Sequence, residues 1–67
     1  MNWSKRNRTV YDFVVANPNA TPEKIRDGLA DAGHTWVNSS SVGRVLRRLV
    51  EAGVLRKTPE SYRAEKP

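Results

Sequence analysis

The sequence has no cysteine and only one histidine, so it lacks the residues from which small domains build disulfides and most structural metal sites. A chain of 67 residues has room for a single hydrophobic core. Without cross-links, apolar packing alone must hold that core together. We therefore expect one domain over residues 1–67, with no cofactor and with a frayed end at residues 65–67.

Long apolar runs are missing as well. The longest, residues 13–16, is too short for a transmembrane helix or for the apolar part of a signal peptide. This pattern predicts a protein that does not associate with membranes and that is located in the cytoplasm. With 37% hydrophobic and 28% charged residues, the composition is typical of a folded domain rather than a disordered chain.

Acidic residues are fewer than basic ones: the sequence has seven Asp and Glu and twelve Lys and Arg, which gives a net charge of +5. An excess of this sign predicts an anionic partner, and nucleic acid is the commonest one. Residues 1–8 carry three bases and no acid, residues 39–57 carry five bases and one acid, and residues 12–34 carry four acids and two bases. The positive charge is therefore concentrated in two blocks, whereas a surface that only keeps a protein soluble intersperses both signs.

Two helices are predicted in the first half of the chain. The first runs from Ser4, as N-cap, to Ala16, with Val10, Phe13 and Val14 on one stripe at helical spacing, and the Asn-Pro-Asn sequence at 17–19 ends it. The second begins at Thr21 and Pro22, a typical N-cap and first helical position, and ends before Gly33. Its predicted buried stripe consists of Ile25, Leu29 and Ala32.

A third helix and a hairpin are predicted in the second half. Residues 39–52 carry the strongest amphipathic signal, with apolar residues at i, i+3, i+4, i+7 and i+8. After Gly53, residues 54–57 and 61–64 are typical of two short strands around a proline-containing turn. Residues 35–37 have β-branched and aromatic character and form a candidate third strand.

The polar face of the third helix is basic. At about 100° per residue, Ser40, Arg44 and Arg47 lie opposite the apolar stripe, with Ser41 and Arg48 to one side. A helix fits the major groove of B-DNA, where arginine donates two hydrogen bonds to guanine. Gly43, on the flank of this helix, is a poor helix former, and it indicates either a close backbone approach or a tolerated surface position.

The order of elements and the stretch SSSVGRVLRRLVEAGVLRK at residues 39–57 resemble the recognition helix and first wing strand of bacterial winged helix-turn-helix transcription regulators. The resemblance covers nearly the whole chain and implies three helices plus a two-strand wing. It implies that the third helix enters the major groove and that the wing lies over the flanking DNA. The residues that it implicates are, in the helix, Ser40, Ser41, Arg44, Arg47 and Arg48 and, around the wing, Arg56, Lys57 and Arg63.

The basic N-terminal block is expected to contact the same duplex as an N-terminal arm, through Lys5, Arg6 and Arg8. The chain departs from larger regulators of this type because it has no extra dimerisation helix and because the wing tip, residues 58–61, carries no base. The missing base argues against insertion of the wing into a minor groove. We expect a monomer or a weak homodimer, or a piece of a larger chain.

Two other functions stay open. Within DNA binding, the chain could be an architectural or recombination accessory factor of a mobile element, because such factors can be this short. From another class, winged helices also serve as protein–protein interaction modules, since fold does not settle function. Catalysis is not expected: His34 has no second histidine or cysteine beside it, and the serines at 39–41 have no base near in sequence.

Overall fold

The computed structural model describes residues 3–65, which form three helices followed by a two-strand antiparallel hairpin. The elements are α1 (Lys5–Ala16), α2 (Pro22–Asp31), α3 (Ser39–Glu51), β1 (Leu55–Lys57) and β2 (Tyr62–Ala64). The predicted fold class, mainly α with a small β-hairpin, is confirmed. In the part of the chain that the structure describes, no helix has both the length and the apolar character needed to cross a membrane.

Side-chain caps fix where the helices begin. The Ser4 hydroxyl accepts a hydrogen bond from the Asn7 amide, and the Thr21 hydroxyl accepts one from the Lys24 amide, each at 3.2 Å. These bonds satisfy backbone N–H groups that the first turn of a helix leaves without partners. Gly33 and Gly53 follow α2 and α3 with φ of 95° and 79°, a backbone region in which residues with a Cβ are strained.

The core lies between the three helices and the first residue of the hairpin. Its buried members come from every helix, from the loop between α1 and α2 and from β1: Val10, Val14, Ala20, Ile25, Leu29, Val42, Val45, Leu46, Leu49 and Leu55. Four of the ten lie on α3, which agrees with the strength of its amphipathic pattern. Because α3 is buried along one side, its other side is held rigidly at the surface.

Two details of the predicted core differ. Phe13 is only partly buried, and its ring packs against Gly28, where a Cβ would stand 2.4 Å from the ring. Ala32 is exposed rather than buried, because α2 ends at Asp31 and Ala32 is its C-cap residue. Gly28 therefore lets α1 and α2 approach each other closely.

The candidate third strand at residues 35–37 does not form. Thr35 and Trp36 lie in a turn, and the Trp36 carbonyl accepts a hydrogen bond from the Ser41 hydroxyl at 2.9 Å. The extra pairing forms instead at Ala20, whose carbonyl accepts a hydrogen bond from the Tyr62 amide at 3.0 Å. This bridge joins the loop between α1 and α2 to the hairpin.

Hydrogen bonds join the two strands of the hairpin at its tip and at its open end. At the tip, the Thr58 hydroxyl accepts from the Ser61 amide at 3.0 Å, and the Thr58 amide donates to the Ser61 carbonyl at 2.9 Å. At the open end, where the sequence suggested fraying, the Glu65 amide donates to the Val54 carbonyl at 2.9 Å. Residues 66 and 67, the rest of that predicted frayed end, lie outside the described residues.

Candidate nucleic-acid interface

The N-terminus of α3 is fixed by a reciprocal pair of hydrogen bonds. The Ser41 amide donates to the Asn38 side-chain oxygen at 2.8 Å, and the Asn38 amide donates to the Ser41 hydroxyl at 3.1 Å. This arrangement is a capping box. The Ser41 hydroxyl is thereby occupied within the fold, so the structure gives this predicted DNA contact a capping role, whereas Ser40 is exposed.

The exposed face of α3 presents the residues that the helical spacing predicted. Ser40, Arg44 and Arg47 all lie in solvent, opposite the buried stripe. Glu51 lies at the far end of this face, where its carboxylate is 3.3 Å from the Arg47 guanidinium. Both side chains are more than two-thirds exposed, at 84% and 69%, so this ion pair holds Arg47 weakly.

One flank of α3 meets the start of α1 in a cleft of about 230 Å³. Three arginines from two helices converge there, Arg6 from α1 and Arg44 and Arg48 from α3, and no acidic side chain lines the cleft. The polar residues between them are Ser4, Asn7 and Ser41. Arginines gathered without an acid create a strongly positive potential that favours a phosphate or another anion.

Trp36 orients one of these arginines. The Arg6 guanidinium carbon lies 5.2 Å from the centre of the Trp36 ring, within the range of a cation–π contact. Such a contact restrains the long arginine side chain while leaving its N–H donors available. No pattern in the sequence predicts this contact, because Arg6 and Trp36 are far apart along the chain and neither belongs to a motif.

The other flank of α3 faces the hairpin across a second cleft. Its lining includes Gly43 and Arg47 from α3 and Lys57 and Tyr62 from the hairpin. Lys57 pairs with Tyr62 in the strand register, and the alternation of side chains along β1 turns both toward the same face as the buried Leu55. Lys57 is therefore placed beside the exposed face of α3.

Two further predicted wing residues lie on the opposite face of the hairpin. Arg56 and Arg63 are direct cross-strand partners, and the strand alternation points both away from α3. The Arg56 guanidinium is 2.6 Å from the Glu65 carboxylate, and Arg63 lines a groove with Tyr11, Val15 and Pro18. The structure therefore does not bring these two arginines together with the basic face of α3.

The predicted N-terminal arm is part of a helix. Lys5, Arg6 and Arg8 all lie in the first turns of α1, so their directions are fixed by the helix. Arg8 is about 200° around α1 from Arg6, 3.3 Å from the Asp12 carboxylate and 5.8 Å from the centre of the Trp3 ring. Of the three bases, only Arg6 lines the cleft beside α3.

Arg26 lies in the acidic middle segment of the chain and was not among the predicted site residues. Its guanidinium donates to the Ser39 hydroxyl at 2.8 Å and lies 3.2 Å from the Asp27 carboxylate. It therefore connects α2 to the first turn of α3. Within residues 3–65, no group of three or more His, Asp or Glu side chains is placed to hold a metal ion.

Comparisons of the chain with protein-family models, with curated proteins and with solved structures found no match.

Proposed function

We propose that the protein binds duplex DNA in a sequence-specific manner and acts as a small transcriptional regulator, with α3 in the major groove. The observation that carries the proposal is the convergence of Arg6, Arg44 and Arg48 in an acid-free cleft beside the exposed face of α3. In this role the protein is a binding protein rather than an enzyme, and its site of action is the cytoplasm.

The geometry of α3 supports base recognition. An α-helix with its side chains is about 10–12 Å across, and the major groove is about 12 Å wide. Arg44 and Ser40 lie on the outermost face of the helix near its N-terminal half, where base edges would be reached first. We assign Arg44 to a base contact, because its planar guanidinium matches the two acceptors of guanine.

The surrounding cations support contacts to the DNA backbone. Arg6 and Arg48 lie on the α1 side of α3, and Lys57 lies on its hairpin side. Cations on both flanks of an inserted helix would meet the two phosphate strands that border the groove, which positions the helix without reading sequence. The hairpin tip carries Glu60 and no base, so we assign the wing a backbone contact through Lys57 only.

The surface gives less support to a protein–protein interaction module. Such a module is expected to expose an apolar patch. Among residues 3–65, Val15 is the only large hydrophobic residue that is exposed, with a relative exposure of 49%. Val15 borders a groove with Tyr11 and Pro18, and none of the residues that line this groove belongs to α3.

The proposal is tested by selecting bound duplexes from a random library, sequencing them, and measuring Kd for the selected duplex and a scrambled one. Sequence-specific binding predicts a preference of about 10³ or more for the selected duplex at a fixed salt concentration. An architectural factor would bind both duplexes with similar Kd. Absence of DNA binding at low salt would contradict the proposal outright.

A further inference from the structure

Gly43 is the one glycine of the chain for which the fold supplies no reason. A Cβ at Gly28 would collide with Phe13, and Gly33 and Gly53 adopt positive φ. A Cβ at Gly43 would meet nothing within 4 Å, and its φ is not in the left-handed region. Glycine nevertheless weakens a helix interior relative to alanine, and here it weakens the helix that contributes most to the core.

The surroundings of Gly43 are those of a groove that runs along one side of α3. Gly43 and Tyr62 line two adjoining clefts, one bordered by Pro22 and Arg26 of α2 and the other by Arg47 and Lys57. The exposed backbone of Gly43 therefore forms part of the floor between α2 and the hairpin. Two acids also line these clefts: Glu51 is paired with Arg47, and Glu23 lies at the α2 end.

We propose that one sugar–phosphate strand of a DNA duplex lies directly on the α3 backbone at Gly43, in the groove between α3 and the hairpin. The inference rests on the proposed DNA binding and deepens it. Glycine is used where a ligand must approach the backbone more closely than a Cβ permits. The cations that line the two clefts, Arg26, Arg47 and Lys57, outnumber the two acids.

The position of Gly43 on the helix favours a backbone strand over a base edge. Gly43 is about 100° around α3 from Arg44, toward the hairpin and away from the outermost face of the helix. Base edges lie at the floor of the major groove, in front of that outermost face, whereas a phosphate strand borders the groove at the flank. Contact at Gly43 is therefore expected to position the helix and to be independent of sequence.

The test uses Gly43→Ala and Gly43→Gln in the full chain, because both new residues are good helix formers of different size. We expect the melting temperature to rise by about 4 °C in each variant. We expect the affinity for DNA to fall by about tenfold for alanine and further for glutamine, since each side chain intrudes on a closely packed contact. The loss should be similar on the selected and the scrambled duplex.

The matched control is Ala30→Gln, which places the same glutamine side chain at an exposed position of α2 that lies outside these clefts, and it should leave the affinity unchanged. Unchanged DNA affinity in both Gly43 variants would overturn the inference while leaving the proposed function intact, provided that the parent protein binds. A lower melting temperature would show that the glycine serves the fold, and a loss confined to the selected duplex would show base recognition; either overturns the inference. A parent protein that binds no duplex overturns both proposals.

Discussion

At the scale of single residues, the local surroundings separate cations that look equivalent in the sequence. Arg6 and Arg8 are two positions apart on α1, yet Arg6 stacks over Trp36 beside α3, whereas Arg8 is paired with Asp12 on another side of the helix. An exposed cation–π contact contributes only about 0.5–1 kcal/mol. Its larger effect is to reduce the freedom that Arg6 must lose when it contacts a phosphate.

Arg6→Ala is therefore expected to weaken DNA binding, and Arg8→Ala is its matched control. If Arg6, Arg48 and Lys57 each neutralise one phosphate, log affinity should fall against log salt with a slope of about −2.7. Arg6→Ala should flatten this slope by about one unit, and Arg8→Ala should leave it nearly unchanged. Fluorescence anisotropy titrations at several salt concentrations measure both, and an equal effect of the two substitutions would contradict the assignment.

Arg44 and Lys57 are expected to differ in the kind of contact that they make. Arg44→Ala should reduce the preference at one position of the binding site by about 1–3 kcal/mol, because a bidentate base contact is lost. Lys57→Ala should weaken binding to selected and scrambled duplexes alike, because a phosphate contact carries no sequence information. Competition titrations against single-base variants of the site distinguish the two, and the assignment fails if both substitutions relax sequence preference equally.

At the scale of elements, α3 has two tasks that depend on each other. Val42, Val45, Leu46 and Leu49 are buried on one side, and Arg44 and Arg47 are presented on the other. Because a buried side of this extent fixes both the rotation and the depth of the helix, the exposed residues are held at defined positions. The capping box at Asn38 and Ser41 fixes the end of the helix that carries the proposed base contacts.

Leu49→Ala tests how far this packing supports the fold. Leu49 is 1% exposed, and removing a buried leucine side chain costs about 2–5 kcal/mol, a large part of the stability of a small domain. Thermal unfolding followed by circular dichroism should show a large drop in melting temperature. A variant that melts within about one degree of the parent would mean that this side of α3 does not face the core.

The helix ends could be predicted from the sequence, whereas one contact between distant segments could not. Helix starts and ends follow from local signals, such as the Ser4 and Thr21 caps and the glycines at 33 and 53, and these predictions agree with the structure. The bridge between Ala20 and Tyr62 joins two distant segments through one residue pair. No periodic pattern in the sequence predicts a contact of that kind. The strand-like residues 35–37 therefore predicted a third strand that does not form, and the pairing at Ala20 was not predicted.

The candidate site was also predictable only in part, because local patterns are visible in the sequence and tertiary contacts are not. The exposed face of α3 follows from helical periodicity alone, and Ser40, Arg44 and Arg47 are found there. The place of Arg6 beside Arg48 depends on how α1 packs against α3, which is tertiary information. The separation of Arg56 and Arg63 from Lys57 follows from strand alternation, a pattern that the sequence contains once the strand register is known.

At the scale of the whole molecule, folding brings part of the two basic blocks of the sequence together around α3, whereas Arg8, Arg56 and Arg63 lie elsewhere. The start of α1 and the flank of α3 meet in one cleft, and Lys57 extends the positive charge across α3. Of the four acidic residues of the middle segment, Glu23 lines the cleft between α2 and α3, and the other three line none of the clefts around α3. A net charge of +5 arranged in this way favours rapid, salt-dependent association with a polyanion.

The most direct test of this account is an NMR titration of the isotope-labelled protein with the selected duplex, following the backbone amide signals of residues 3–65. The account predicts that the largest shift changes occur in residues 39–48, at Arg6 and at Lys57, with Val15 and Arg63 nearly unaffected. Shift changes centred on the groove beside Val15, or none at low salt, would contradict the claim that the basic face of α3 binds DNA.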